Sequence, residues 1–220
     1  MRTLLFISTI AFLLSCSKND KDNGSDNQPL EAKGGRFYGG VLRLNETEYI
    51  KSLYPPSITD AFSFRVASQI YEGLFKFDQA NLSLKKCLVE DYNVDATGTV
   101  YTFKLRHGVF FHDDPCFTGG KGREMNAHDV KYCFEQLCTQ NINNQGFVVF
   151  KGILKGADKF HAAAVNGKTP VFDLEGIKVL DNYTLQLTLV KPSSVFLFDL
   201  ARPFTLIYPK EAKVKYGFEM

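Results

Sequence analysis

The sequence predicts a mixed α+β fold, and three segments indicate it. Residues 100–106 alternate apolar and polar side chains, with the period of two that is typical of a strand with one buried face. Residues 126–140 repeat apolar side chains at helical spacing behind a capping-box-like pair, Asn126 and Asp129. Residues 176–190 have the pattern of a hairpin that turns at Asp181-Asn182. Strands and helices follow one another without fixed alternation or internal repeat, so the predicted class is α+β (mixed α/β).

The other elements follow from apolar patterns and from the residues that interrupt them. A first strand is predicted at residues 41–44. Asp60 is predicted to be the N-cap of a helix that runs through Tyr71 and ends at Gly73, its C′ residue. The remaining predictions, in order, are strands at 74–77 and 109–111, helices at 150–165 and 196–201, a buried strand at 204–208 and a helix that opens at Pro209.

The N-terminus has the pattern of an export signal. Arg2 precedes an apolar run at residues 4–14 that is too short to cross a bilayer stably. The Leu-Leu-Ser-Cys segment that ends at Cys16 resembles a bacterial lipobox, in which the cysteine carries a lipid and becomes the first mature residue. We therefore predict a signal peptide at residues 1–16 and lipid attachment at Cys16, which would anchor the protein to a membrane without spanning it. The competing interpretation is a core helix with a chance cysteine.

Residues 17–38 are predicted to be a disordered tether. Residues 17–35 carry seven charges and only two apolar side chains, so they bury too little surface to offset their chain entropy. The expected location is the cell envelope, on the periplasmic side of a membrane or in the outer membrane. Ser17 after the lipid cysteine resembles the outer-membrane pattern of enterobacterial lipoproteins. The charged residues 18–22 leave open the cell surface as well as a plain solvated spacer.

Composition indicates a globular body with no nucleic-acid partner. Hydrophobic residues make up 45% of the chain, which has 20 Phe and 10 Tyr, while the net charge of +2 provides no basic field for nucleic acid. The folded part is expected at residues 39–220. Because a helix opens near the end and no C-cap signal closes it, we expect the chain to be truncated.

Four cysteines follow the predicted lipid site, and an oxidising compartment would allow two disulfides. Cys133 and Cys138 are five residues apart on a predicted helix and therefore point in different directions. The sequence favours a Cys116–Cys138 disulfide and leaves four free thiols open.

Six segments in a consistent order resemble the peptide- and nickel-type solute-binding proteins of ABC importers. They are GVLR (40–43), QIYEGLF (69–75), YTFKLRHGVFFHD (101–113), NAHDV (126–130), VLDNYT (179–184) and PKE (209–211). The chain departs from the family pattern at residues 114–125, where a Gly-rich insertion containing Cys116 replaces a very short link.

The resemblance implies a two-lobed periplasmic-binding-protein type II fold of the peptide-binding cluster, of which this chain contains the N-terminal half. Residues 39–60 and 171–220 would belong to an incomplete first lobe, and residues 61–170 to an inserted subdomain. The second lobe would lie beyond residue 220.

The resemblance also implies a function, which is capture of short peptides and delivery to a membrane permease and its ATPase. Such proteins hold an extended peptide mainly through its backbone. Thr59, Asp60 and Ala61 match the family's loop that faces the peptide, although Asp60 is equally well explained as a helix N-cap. We expect a monomer with no cofactor and no enzymatic activity. The same fold leaves open nickel-chelate, haem or another small solute as the ligand.

A metal-dependent hydrolase is the alternative of another class. Its potential ligands are His107, His112, Asp113, Asp114, Cys116 and His128. His107 and His112 are five residues apart across a strand segment and therefore face opposite sides. Neither a His-Glu-x-x-His nor a paired Cys-x-x-Cys motif is present, so the sequence does not favour this alternative.

Overall fold

The computed structural model describes residues 30–217 except 33, 40–42, 44 and 166, and it divides the chain into two units, residues 1–45 and 46–220. In the first unit, β1 (Leu30–Ala32) pairs antiparallel with β2 (Arg36–Tyr38). The turn between them contains Gly34 and Gly35, both at positive φ. Both strands lie within the predicted tether, residues 17–38, because a glycine turn permits backbone pairing that composition does not count. The tether itself stays a prediction.

Several predictions at the N-terminus lie outside the described residues. The signal peptide and Cys16 are among them, as is the strand at 41–44 apart from Arg43, which has no regular structure.

Two antiparallel sheets form most of the strand structure of the second unit. β3 (Phe75–Phe77) pairs with β4 (Leu84–Lys86). The larger sheet has the order β5-β6-β8-β7, and its strands are β5 (Val89–Val94), β6 (Val100–Leu105), β7 (Ile177–Asp181) and β8 (Thr184–Thr188). The predicted alternation of β6 is confirmed, since Tyr101, Phe103 and Leu105 are buried while Lys104 is exposed.

The larger sheet crosses the predicted domain boundary. β6 and β8 are hydrogen-bonded neighbours, with Phe103 opposite Leu185. The β7–β8 hairpin, which was assigned to the first lobe with residues 171–220, therefore shares a sheet with strands of the predicted inserted subdomain, residues 61–170. The pairing arises because β6 buries one face and finds its second edge partner in a hairpin about 80 residues later. The division into lobe and inserted subdomain stays a prediction.

In the described part of the chain, five α-helices accompany the sheets: α1 (Ala61–Ile70), α2 (Ala127–Cys138), α3 (Ala157–Ala163), α4 (Phe196–Asp199) and α5 (Lys210–Tyr216). The predicted capping box of α2 is confirmed, because Asn126 and Asp129 cap each other's backbone. The central helix α2 packs against β7 and β8, and its Phe134 ring lies edge-on to Phe150 at 5.1 Å. None of the helices in the described residues is long and apolar enough to cross a membrane.

Three other predictions need correction. The helix expected at 150–165 contains only α3, because Gly152 and Gly156 adopt positive φ and interrupt it. Residues 204–208 form no strand, although 205–208 are buried; a 3-10 turn (Pro203–Thr205) leads into extended chain. Helix α1 ends at Tyr71 in an extended conformation rather than at a left-handed Gly73.

The four described cysteines are free thiols, so the predicted Cys116–Cys138 disulfide is absent. Cys116 lies near Glu211, which shares Arg123 with Asp129 in the first turn of α2. Cys138 is the last residue of α2, nine residues beyond Asp129 and therefore about 13 Å further along the helix axis. A disulfide needs the two Cα atoms to be closer than about 7 Å. Because Cys116 lies near the start of α2 and Cys138 at its end, the length of the helix keeps them further apart.

Candidate binding cleft

The loop that leads into α1 exposes the three predicted ligand-binding residues. Pro55 and Pro56 set a 3-10 turn (Pro55–Ser57), which leaves Thr59 and Ala61 exposed and Asp60 half-buried. Within the described residues, the backbone N–H groups of Thr59 and Ala61 have no hydrogen-bond partner in the protein. The loop therefore presents free backbone donors on an exposed surface, as strand addition by a ligand requires.

Asp60 is the N-cap of α1, as the competing interpretation held. Its carboxylate accepts from the Ser63 backbone N–H and from the Ser63 hydroxyl, both at 2.9 Å. The backbone hydrogen bond is the main reason that the pKa of Asp60 is lowered. The carboxylate is thus used to begin the helix, and a ligand would meet the backbone beside it.

Replacing Asp60 tests this capping role. Asp60→Ala is expected to reduce the free energy of unfolding by about 1 kcal/mol, whereas Asp60→Ser keeps an acceptor and should lose less. A lowered folded-state pKa means that the carboxylate stabilises the fold above its unfolded pKa of about 4, and that this contribution is lost as the pH falls through the lower folded value. Urea unfolding of both variants at pH 7 and pH 2 measures it. If Asp60→Ala lost as much free energy of unfolding at pH 2 as at pH 7, the capping role of the Asp60 carboxylate would be contradicted.

A second loop, residues 141–147, lies directly beside the first. The Gln145 backbone N–H donates to the Pro56 carbonyl at 2.8 Å, and the Ser57 hydroxyl donates to the Asn143 carbonyl. Asn144 fixes this loop to the end of α2, because its side-chain amide donates to the carbonyls of residues 136, 137 and 139. The side chains of Ile142, Asn143 and Gln145 are exposed. The sequence analysis missed this second wall, which the Asn-rich run at 141–144 could have indicated as a turn.

Two buried tyrosines connect the loop that leads into α1 to the core. The Tyr208 hydroxyl donates to the Tyr54 hydroxyl at 3.3 Å, and the Tyr208 backbone contacts the Cys133 thiol of α2. Burial raises the pKa of Tyr54 to about 12, so both hydroxyls keep their protons at neutral pH. The start of the loop is therefore fixed to the core by neutral hydrogen bonds.

Three residues of the metal-hydrolase alternative have partners outside that set. The His107 ring lies against Tyr183, tilted by 35° with 3.7 Å between ring centroids, Asp113 pairs with Lys121, and Asp114 accepts from the Tyr216 hydroxyl. In the part of the chain that the structure describes, no three His, Cys, Asp or Glu side chains are grouped so that they could hold a metal ion.

Comparison with known proteins gives a consistent result. The family model of the bacterial extracellular solute-binding proteins, family 5 (middle region), matches residues 83–219. The glutathione-binding protein GsiB of Pectobacterium atrosepticum is 30% identical over 169 residues, which are 77% of this chain and 27% of that protein. GsiB of Escherichia coli strain K12 shows the same identity and coverage. The chain thus spans about a quarter of the length of these relatives.

Solved structures with the same fold include peptide-binding proteins. DppA from Helicobacter pylori, in complex with the peptide STSA, has a TM-score of 0.55 and 27% identity, covering 75% of this chain and 30% of DppA. An oligopeptide ABC transporter substrate-binding domain from Bacillus anthracis has a TM-score of 0.63 at 22% identity, covering 79% of this chain and 31% of that domain, and shows the fold alone.

Proposed function

This chain belongs to family 5 of the bacterial extracellular solute-binding proteins, and we propose that it captures short peptides for an ABC importer. Members of this family are binding proteins and not enzymes. The observation that carries the proposal is the exposed backbone at Thr59 and Ala61, whose N–H donors have no partner in the described residues.

The surroundings of these donors suit an extended peptide with variable side chains. Backbone hydrogen bonds would give affinity without reading the ligand's sequence. The neighbouring loop offers an exposed apolar side chain, Ile142, and the polar side chains of Asn143 and Gln145. We further propose that a second lobe closes over this surface, and that the permease and its ATPase recognise the closed form. The similarity to glutathione-binding proteins makes glutathione one of the peptides to test.

Lipid attachment is part of the same proposal. Cys16 follows an apolar run and would be acylated after export, which would hold the binding surface near the permease on the outer face of a membrane. We expect Cys16→Ser to abolish incorporation of labelled palmitate into the protein, and unchanged labelling would contradict lipid attachment at Cys16.

A proline substitution tests strand addition while preserving the helix. Ala61 is the first residue of α1, and Asp60 before it has φ −122° and ψ 155°, a conformation that a following proline favours. Ala61→Pro removes one N–H donor and is expected to weaken peptide binding about tenfold with little change in melting temperature. Thr59→Ala, which keeps every backbone donor, is the matched control.

The measurement is thermal unfolding and calorimetry with di- to penta-peptides and glutathione, and separately with nickel and haem. The protein should be produced in the longest form that its gene encodes, from residue 16 onward with Cys16→Ser. A rise in melting temperature with peptides supports the proposal, because a ligand that binds only the native state stabilises it. A rise in melting temperature with nickel or haem alone would identify that compound, and not a peptide, as the ligand. Equal peptide affinity of Ala61→Pro and the unsubstituted protein would contradict strand addition at α1.

A further inference from the structure

A second cavity lies at the other end of α1. It has a volume of about 540 Å³ and is enclosed by the last turn of α1, by residues 109–117 and by α5. Since α1 has ten residues, the cavity is about 15 Å from Asp60 and from the loop that we assign to peptide binding. A volume of this size is typical of a small-molecule site.

The insertion that departs from the family pattern builds one wall of this cavity. Phe117 is buried, and its ring stacks on Phe111 with 6.0 Å between centroids. Asp114 accepts from the Cys116 backbone N–H at 2.7 Å and from the Tyr216 hydroxyl of α5 at 2.8 Å. These contacts hold residues 114–117 against α5, so the cavity depends on this segment.

The lining of the cavity is mainly apolar and includes negatively charged hydrogen-bond acceptors. Ile70, Tyr71, Phe110 and Phe111 provide apolar and aromatic surface, and Asp114 provides a carboxylate. Glu72 also lines the cavity, but its carboxylate interacts with the Cys87 thiol outside the lining. Hydrogen bonds, above all that from the Cys116 backbone, lower the pKa of Asp114, so it is ionised at neutral pH. No lysine or arginine lines the cavity among the described residues; Lys215 acts on Asp114 from α5 but lies outside the lining.

We propose that this cavity is an accessory binding site for a small arylalkylamine, separate from the peptide cleft. The aromatic walls would cover the aryl group of such a ligand, and the Asp114 carboxylate would accept hydrogen bonds from its ammonium group. A carboxylate ligand of the same size would meet the like charge of Asp114 and no lysine or arginine in the described lining, so the site should reject it.

Cys116 provides a reporter inside the cavity. Its side chain is half-buried, whereas Cys87, Cys133 and Cys138 are buried. Burial first, and then the nearby Asp114 carboxylate, raises the pKa of Cys116 to about 11, so alkylation at pH 9 is slow enough to follow. A ligand in the cavity should slow it further by covering the thiol.

The experiment compares phenethylamine with phenylacetate, which has a similar size and the opposite charge. The Cys16→Ser protein, in the longest form that its gene encodes, is alkylated with iodoacetamide at pH 9, and modification of Cys116 is followed by peptide mass spectrometry. We expect saturating phenethylamine to slow the reaction at least about fivefold and phenylacetate to leave it unchanged. Equal protection by both compounds, or protection by neither, would overturn the proposal.

Variants separate this site from the peptide cleft. Ala212→Phe and Ser68→Trp each place a large side chain in the cavity from a different helix, and each should abolish protection by phenethylamine. Val165→Trp, at an exposed position outside the lining, is the control for adding a large side chain. Ala61→Pro should retain amine protection even if it loses peptide binding. Two results would contradict a separate site. One is that phenethylamine no longer protects Cys116 in Ala61→Pro; the other is that it still protects Cys116 in both cavity variants while their melting temperatures are native.

Discussion

Arg123→Ala is expected to reduce the free energy of unfolding by about 2–3 kcal/mol, because it removes the guanidinium group that binds two carboxylates at once. The Arg123 guanidinium donates to both oxygens of Asp129, at 2.8 and 2.6 Å, and to both oxygens of Glu211, at 2.7 and 2.9 Å. The Asp129 side chain is only 5% exposed, so the variant leaves a buried carboxylate with no cationic partner. The expected loss stays below that of a fully buried pair because Arg123 itself is 36% exposed.

Two variants from the same insertion control this result. Lys121→Ala removes the exposed pair with Asp113 and should change stability by less than about 0.5 kcal/mol. Arg123→Lys keeps the charge but loses the planar fork, so it should lie between Arg123→Ala and the unsubstituted protein. Urea unfolding at pH 7 measures all three. If Arg123→Ala and Lys121→Ala were equally stable, the network would have no structural role.

The network also predicts a dependence on pH. The hydrogen bond from Arg123 is the main cause of the lowered pKa of Glu211. A lowered folded-state pKa contributes stability above the unfolded value of about 4.3, and this contribution disappears as the pH falls through the folded value. The stability gap between the unsubstituted protein and Arg123→Ala should therefore narrow below pH 4.

Phe134→Ala is expected to have the largest effect on stability, a loss of about 3–5 kcal/mol. Phe134 is fully buried on α2 and packs edge-on against Phe150. Its removal leaves a cavity that the surrounding close-packed helix and loops can fill only in part. Val148→Ala is the control, since Val148 is 59% exposed and should change stability by less than about 0.5 kcal/mol.

Chemical denaturation, with Tyr and Phe signals as the probe, measures both variants. A loss below about 1 kcal/mol for Phe134→Ala would mean that α2 does not lie in the core. Because the Asn144 amide fixes the loop at 141–147 to the carbonyls that end α2, the variant should also weaken peptide binding.

The sequence by itself determined several local elements and the family. The alternation of β6, the Asn126–Asp129 capping box and the Asp60 cap each depend on residues within one turn or one strand, so their patterns can be read from neighbours in the chain. The six ordered segments were enough to identify the family, which the comparisons confirm.

Tertiary structure alone decided what depends on residues far apart in the chain. Three features depend on segments separated by more than 20 residues. They are the pairing of β6 with β8, the position of the loop at 141–147 beside Pro56, and the distance between Cys116 and Cys138, which form no disulfide. Residues 204–208 are as apolar as a strand, but 205–208 bury their side chains without any strand partner. Apolar pattern records that a segment is buried; which segments meet, and therefore where the cleft and the second cavity lie, is set by how the whole core packs.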